Sequence, residues 1–189
     1  MRLCLIRHFA PNVPAGVCYG QSDLGLAEPL EVRDQYIEAL RKQLHRLLPE
    51  TAVVFTSPLR RCAEIAAALS AEAIHDHRLR ELDFGEWEMQ SWTAIGPQAL
   101  DAWANNVAGF RPPGGETGYE VQRRALRWLQ DAARAHDAAV VVTHSGVMRA
   151  LQAHHQRLPG AQWLNLRYDY GQMLILDFTP EQIHAPPVQ

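Results

Sequence analysis

Lysine is almost missing from this chain of 189 residues. Lys42 is the only one among 18 basic side chains, so nearly all positive charge is carried by guanidinium groups. The formal net charge is −3, which excludes a general electrostatic pull toward nucleic acid or an anionic membrane surface. An anion must then be held by locally placed arginines, whose planar forks suit bidentate contacts to phosphate. Cysteine is scarce as well. Cys4, Cys18 and Cys62 are odd in number and contain no C-x-x-C pair, which argues against a disulfide framework or a zinc knuckle and for a reducing compartment. No apolar run reaches the length needed to span a bilayer. The apolar stretch between Arg2 and Arg7 is too short for the core of a signal peptide. The expectation is a cytoplasmic protein with no membrane and no nucleic-acid partner.

What is present fits one domain with a substantial core. Four aliphatic, β-branched runs predict buried strands over Arg2–Ile6, Ala52–Thr56, Ala139–Thr143 and Met173–Phe178. Amphipathic patterns alternate with them. Leu30, Ile37, Leu40, Leu44 and Leu47 share one helical face, as do Cys62, Ala66 and Leu69. Val121, Ala125, Leu129 and Ala132 form a third stripe, with Thr117 and Glu120 as its capping box, and a shorter helix opens after His144. Strands alternating with helices predict an α/β fold, a mostly parallel sheet with helices on both faces. The less regular middle, which contains Phe84, Trp87, Trp92 and Trp103, predicts a small helical lid around residues 84–115 within a single domain, 1–189. The tail His184–Gln189 is expected to be irregular.

The ends of the strands carry the chemistry. The first ends in Arg7-His8, the second runs into Ser57, Arg60 and Arg61, and the "AVVVT" strand ends in His144-Ser145-Gly146. In open parallel sheets ligands bind at the C-terminal strand edge, so two histidines and at least two arginines meet on one rim. Helices starting there add backbone N–H groups and a positive dipole end. A phosphate or similar dianion is the natural guest. Two histidines among guanidiniums resist a metal, and His75, His77, His154 and His155 lack companion ligands at metal-site spacing. For a carboxylate, "LRELDFGEWE" offers Glu81, Asp83, Glu86 and Glu88; a carboxyl beside a bound dianion is suited to donate a proton. The loop after His8 is longer than an ordinary connection, a feature of functional loops. Gly16, Gly20 and Gly25 let it fold close over phosphate, while Phe9, Tyr19 and Gln21 are candidates for touching the organic part of the ligand.

Taken in order, "LIRH", "TSPLRRC", "ELDFGEWE", "PPGGET" and "VVTHSGVMR" resemble the motifs of the histidine phosphatase superfamily, with its three-layer α/β/α, phosphoglycerate-mutase-like fold. The resemblance runs from Arg2 to about Phe178. "GVCYGQSDLGL" is most similar to the alpha-ribazole phosphatases. The resemblance implies that His8 attacks phosphorus and becomes a phosphohistidine. It further implies that Arg7, Arg61 and His144 hold the equatorial oxygens. In S-P-L-x-R the matching arginine is Arg61 rather than Arg60, and Glu81 matches the general acid, with Asp83 as the alternative. Tyr19, Gly20, Gln21 and Ser145 join Arg7, Arg61 and His144 as expected substrate contacts. No metal and no cofactor are implied. The implied substrate is a small phosphorylated molecule, alpha-ribazole 5′-phosphate first, with sugar phosphates or nucleotides as the alternative. A phosphoglycerate mutase is disfavoured by the short chain, and a non-catalytic binding module by the intact motifs. A homodimer through tryptophans of the middle segment is compatible with the sequence. The chain departs from the family pattern at Phe9, which replaces a glycine. It departs again at Ala10, Pro11 and Pro14, where Thr and Asn are common, with Asn12 as the candidate substitute. In "WEMQSW" the glycine that often follows "WE" is absent.

Overall fold

The computed structural model describes residues 1–188. The expected strands form β1 (Arg2–Arg7), β2 (Val53–Thr56), β4 (Ala138–Thr143) and β5 (Met173–Asp177), joined at one edge by a two-residue β3 (Ile74–His75). The sheet order is β3-β2-β4-β1-β5; β5 alone runs antiparallel. No pattern announces β3, since two residues between Ala73 and Asp76 are too few to carry a period. Alternation along β1 sends Leu3 and Leu5 into one core and Cys4 and Ile6 into the other. That explains why the run reads as continuously apolar.

The helices are α1 (Asp34–Leu47), α2 (Arg60–Leu69), α3 (Trp92–Ile95), α4 (Pro97–Asn105), α5 (Gly118–Ala135), α6 (Ser145–His155) and α7 (Pro180–His184). Buried residues of α1 and α2 (Ile37, Leu40, Cys62, Ile65) pack on the Cys4/Ile6 face. Those of α5 and α6 (Trp128, Leu129, Met148, Leu151) pack on the Leu3/Leu5 face, giving the three layers α/β/α. Thr117 and Glu120 form the capping box expected at the start of α5. After α7 the chain is irregular to residue 188, and Gln189 lies outside the described residues. Among the described residues no helix is long and apolar enough to cross a membrane.

Residues 84–115 fold as a 3-10 turn (Gly85–Trp87), α3, α4 and a return past Phe110, which stacks on Trp87 at 5.5 Å. A bridge between Val17 and Ser91 ties this segment to the loop after β1. Met89 occupies the position where a glycine was missing from the sequence, and its φ is +63°. Its amide is committed to the Cys18 carbonyl at 2.8 Å, so the left-handed backbone is retained with a side chain that disfavours it. Left-handed geometry costs an L-residue roughly 1–2 kcal/mol. Met89 is about half exposed and contributes little packing in return. Met89→Gly is therefore expected to raise stability by about 1 kcal/mol in urea unfolding, despite the entropy glycine adds to the unfolded chain.

Candidate active site

Parallel register brings three strand ends to one level. Arg7 pairs with Thr143, and Thr56 with Val142. The His8 amide then donates to the Thr143 carbonyl and the Ser57 amide to the Val142 carbonyl, each at 3.0 Å. His8 and His144 thus leave neighbouring strands side by side, with ring centroids 5.0 Å apart.

His8 is only 1% exposed, and its Nδ1 lies 2.5 Å from the Phe9 carbonyl. A carbonyl only accepts, so the proton sits on Nδ1 and the lone pair on Nε2. Burial, followed by the charge of Arg61, pushes the imidazole down to about 3. Burial likewise holds His144 well below the ordinary histidine value, reinforced by His8 and Arg61. His144 Nε2 lies 2.8 Å from the Ser57 hydroxyl. Both rings are therefore neutral in the fold, whereas in the unfolded chain they take a proton near pH 6.5. Between about pH 3 and 6.5 the unfolded chain binds more protons than the native protein. The stability contributed by neutral His8 is complete above pH 6.5 and is lost as pH falls through that window. A fall in Tm of roughly 5 °C or more from pH 7.5 to pH 5 is expected. It should be smaller in His8→Gln; an equal fall in that variant would show that His8 is not the group responsible.

Arg61 is fully buried at the start of α2, donating to the carbonyls of Gly20 at 2.6 Å and Ser22 at 2.8 Å, with its Nε unpartnered. Arg60 points outward toward Glu64. Arg7 donates to the Tyr168 carbonyl at 2.5 Å, and its Nε is also buried without a partner. Two buried, unpartnered guanidinium donors beside neutral imidazoles are a site prepared for an anion. Glu81 completes the group. Its carboxylate accepts from the Gly146 amide (3.0 Å), the Leu82 amide (2.9 Å) and the Ser145 hydroxyl (3.3 Å) at the N-terminal end of α6. Asp83 instead accepts from the Gly85 amide and shapes that turn.

A cavity of about 530 Å³ opens beside this cluster. Its polar wall is Arg7, Glu81, Ser145, Gly146, Arg149 and the hydroxyls of Tyr19 and Tyr170, and its apolar wall includes Phe84, Trp92, Trp103 and Trp163. The two tyrosine hydroxyls are 2.6 Å apart. The Tyr170 ring lies 4.0 Å from the Arg7 guanidinium and 5.7 Å from His8, and Tyr19 lies 5.4 Å from that of Arg61. The pair therefore covers His8 and Arg61.

Several sequence expectations are placed differently. Phe9 does not face the cavity; it is 2% exposed, packing edge-on to Tyr36 beneath Arg33, because the chain turns inward after His8. Gln21 also turns away, donating to the Glu81 carbonyl and to Glu116. Gly20 lies behind the wall, where an added Cβ would stand 2.1 Å from the Leu82 carbonyl oxygen. Asn12 lines a separate outer groove. Of the middle-segment tryptophans, Trp92 and Trp103 stack at 6.3 Å and face the cavity, and Trp87 is buried against Phe110. Arg149, Tyr170 and Trp163 were not anticipated. Arg149 was legible, since it falls four residues after Ser145 on one helical face. Tyr170 arrives from the irregular segment before β5, where no period marks it.

Comparisons with known proteins point to one family. The model of the histidine phosphatase superfamily (branch 1) matches residues 3–186. The glucosyl-3-phosphoglycerate phosphatase of Mycolicibacterium vanbaalenii is 30% identical over 179 residues, spanning 86% of this chain and 77% of that protein. The adenosylcobalamin/alpha-ribazole phosphatase of Salmonella typhimurium is 29% identical over 184 residues, 90% of this chain and 87% of the relative. Among solved structures, mycobacterial glucosyl-3-phosphoglycerate phosphatase in complex with inorganic phosphate superposes with a TM-score of 0.78. It shares 26% identity and covers 92% of this chain and 88% of its own. With the strand-end cluster, the fold and the matched motifs in agreement, the chain belongs to the histidine phosphatase superfamily, branch 1, and is a phosphatase of that type.

Proposed function

We propose that the protein is a metal-independent phosphomonoesterase working through a phosphohistidine at His8. The observation that carries this reading is a buried, neutral His8 with its Nε2 lone pair free, beside two unpartnered arginine donors, with Glu81 lining the same cavity as Arg7. Nε2 attacks phosphorus, forming the N–P bond as the P–O bond to the alcohol breaks. Arg7, Arg61 and His144 stabilise charge on the equatorial oxygens. Glu81, in the role of general acid, delivers a proton to the departing oxygen. Water then attacks the phosphohistidine, returning its proton to Glu81 and releasing phosphate and free His8. Ser145, with its hydroxyl on Glu81, orients the acid. Because the Tyr19–Tyr170 pair covers the cluster, the ester enters as that hydrogen bond parts, and residues 84–115 act as the lid that walls the cavity.

The ester we favour is alpha-ribazole 5′-phosphate. The cavity is of ordinary ligand size, and Phe84, Trp92, Trp103 and Trp163 offer faces to a planar base. The Salmonella relative, which acts on such esters by its name, aligns with 90% of the chain. Phosphate release from alpha-ribazole 5′-phosphate and p-nitrophenyl phosphate, with EDTA present, tests this. The ribazole ester should have the higher kcat/KM, and Trp103→Ala should raise its KM by roughly tenfold. Equal, feeble rates on both esters would remove the ribazole assignment and leave the phosphatase chemistry.

A further inference from the structure

The acid candidate sits on a stretch that no regular structure supports. The sheet ends at Ile74–His75, a 3-10 turn spans His77–Leu79, and Arg80, Glu81 and Leu82 belong to no helix or strand. Buried carbonyls on such a stretch need donors from elsewhere. A single side chain supplies most of them. From the inner face of α5, Arg124 donates through Nη1 to the carbonyls of Arg78 at 2.7 Å and Arg80 at 2.6 Å, and through Nη2 to that of Glu81 at 2.9 Å.

The guanidinium is itself fixed from the other side. Glu116, in the "PPGGET" segment, takes both Nε (3.0 Å) and Nη2 (2.9 Å) in a fork-to-fork pair, and the two side chains are only 14% and 17% exposed. Glu116 also accepts from the Asp83 amide and from Gln21, each at 3.1 Å. Gln21 in turn donates to the Glu81 carbonyl at 3.1 Å. The Glu81 backbone is thus gripped by two donors, one from α5 and one from the loop after β1. Both meet on Glu116.

We propose that Arg124, locked by Glu116, is a positioning residue for the general acid, holding the 78–81 backbone so that the Glu81 carboxyl meets the leaving oxygen. Neither residue lines the cavity, and the side-chain hydrogen bonds of Arg124 go to Glu116 and to the backbone of the 78–81 stretch rather than to Arg7, His8, Arg61 or His144. The inference rests on the assignment of Glu81 as acid, and loosening of the segment should affect one step selectively. Esters whose leaving oxygen needs a proton should suffer; esters of a stable phenolate should not.

The experiment compares kcat/KM, which reports formation of the phosphohistidine, for benzyl phosphate and p-nitrophenyl phosphate. Wild type, Arg124→Met, Glu116→Gln and the reference Glu81→Gln are measured, with Tm for each. Arg124→Met should lower kcat/KM for benzyl phosphate by about 30-fold or more, within the range general acid catalysis supplies, and for p-nitrophenyl phosphate by no more than about threefold. Glu116→Gln, reaching the same segment from the opposite side, should give the same contrast. Proportional losses on both esters in both variants would overturn the proposal and leave the pair a structural brace. No loss on either ester would overturn it too. Absence of the contrast in Glu81→Gln would instead remove the acid assignment on which it stands.

Discussion

Alanine in place of His8 is expected to lower kcat for p-nitrophenyl phosphate by on the order of 10⁴-fold or more, as losses of attacking groups do. The size follows from the cluster's geometry. Nδ1 is tied to the Phe9 carbonyl, so Nε2 is the available lone pair at the meeting point of β1 and β4. The other imidazole, His144, is engaged with Ser57 and in contact with Cys62, and it is fully buried. The Cys62 thiol is no substitute, because burial pushes its pKa up and keeps it protonated. The variant should remain folded, since the Phe9 carbonyl loses one partner at a cost of about 1–3 kcal/mol. It should still bind phosphate, as Arg7 and Arg61 stay in place. Retention of more than a tenth of wild-type turnover would mean that another group attacks phosphorus.

The second large effect belongs to Glu81. Glu81→Gln preserves shape and most hydrogen-bond capacity but has no proton to deliver, so kcat/KM for benzyl phosphate should fall by about 10³-fold. For p-nitrophenyl phosphate, whose phenolate leaves unaided, the loss should stay under about tenfold. Asp83→Asn should spare the contrast between esters, because Asp83 is committed to the Gly85 turn and does not line the cavity. If Asp83→Asn reproduces the Glu81→Gln pattern, the two carboxylates have been assigned in the wrong order.

The central frame was readable because its physics is local. A strand covered on both faces must be apolar along its interior, as β1 is between Arg2 and Arg7 and β4 is before Thr143, and parallel pairing makes such strands end together. Arg7, Arg61 and His144 could therefore be brought to one rim from sequence positions alone. The choice of Arg61 over Arg60 rests on counting along S-P-L-x-R in the family resemblance; the helical step between neighbours then leaves Arg60 in solvent. What escaped depends on tertiary contacts that no period encodes. Phe9 looked available to a ligand, yet the turn after His8 directs it onto Tyr36. Gln21 looked like a substrate contact and instead reaches Glu81 and Glu116, partners 60 and 95 residues away along the chain. Of the three residues expected to touch the organic part of the ligand, Tyr19 alone lines the cavity wall. Its aromatic faces come from α3, α4 and the 3-10 turn holding Trp163, while the tyrosine cover pairs residues 151 positions apart. Met89 is the intermediate case, since the missing glycine was visible and only the backbone reveals what its absence costs.

One measurement bears most directly on the central claim. The protein is mixed with ³²P-labelled ester, quenched in alkali within a turnover, and the labelled peptide is identified. Label on the peptide containing His8, stable in alkali and lost in mild acid as a phosphoramidate is, is the expected result. Label on a different residue, or an acid-stable bond to a hydroxyl, would contradict the account.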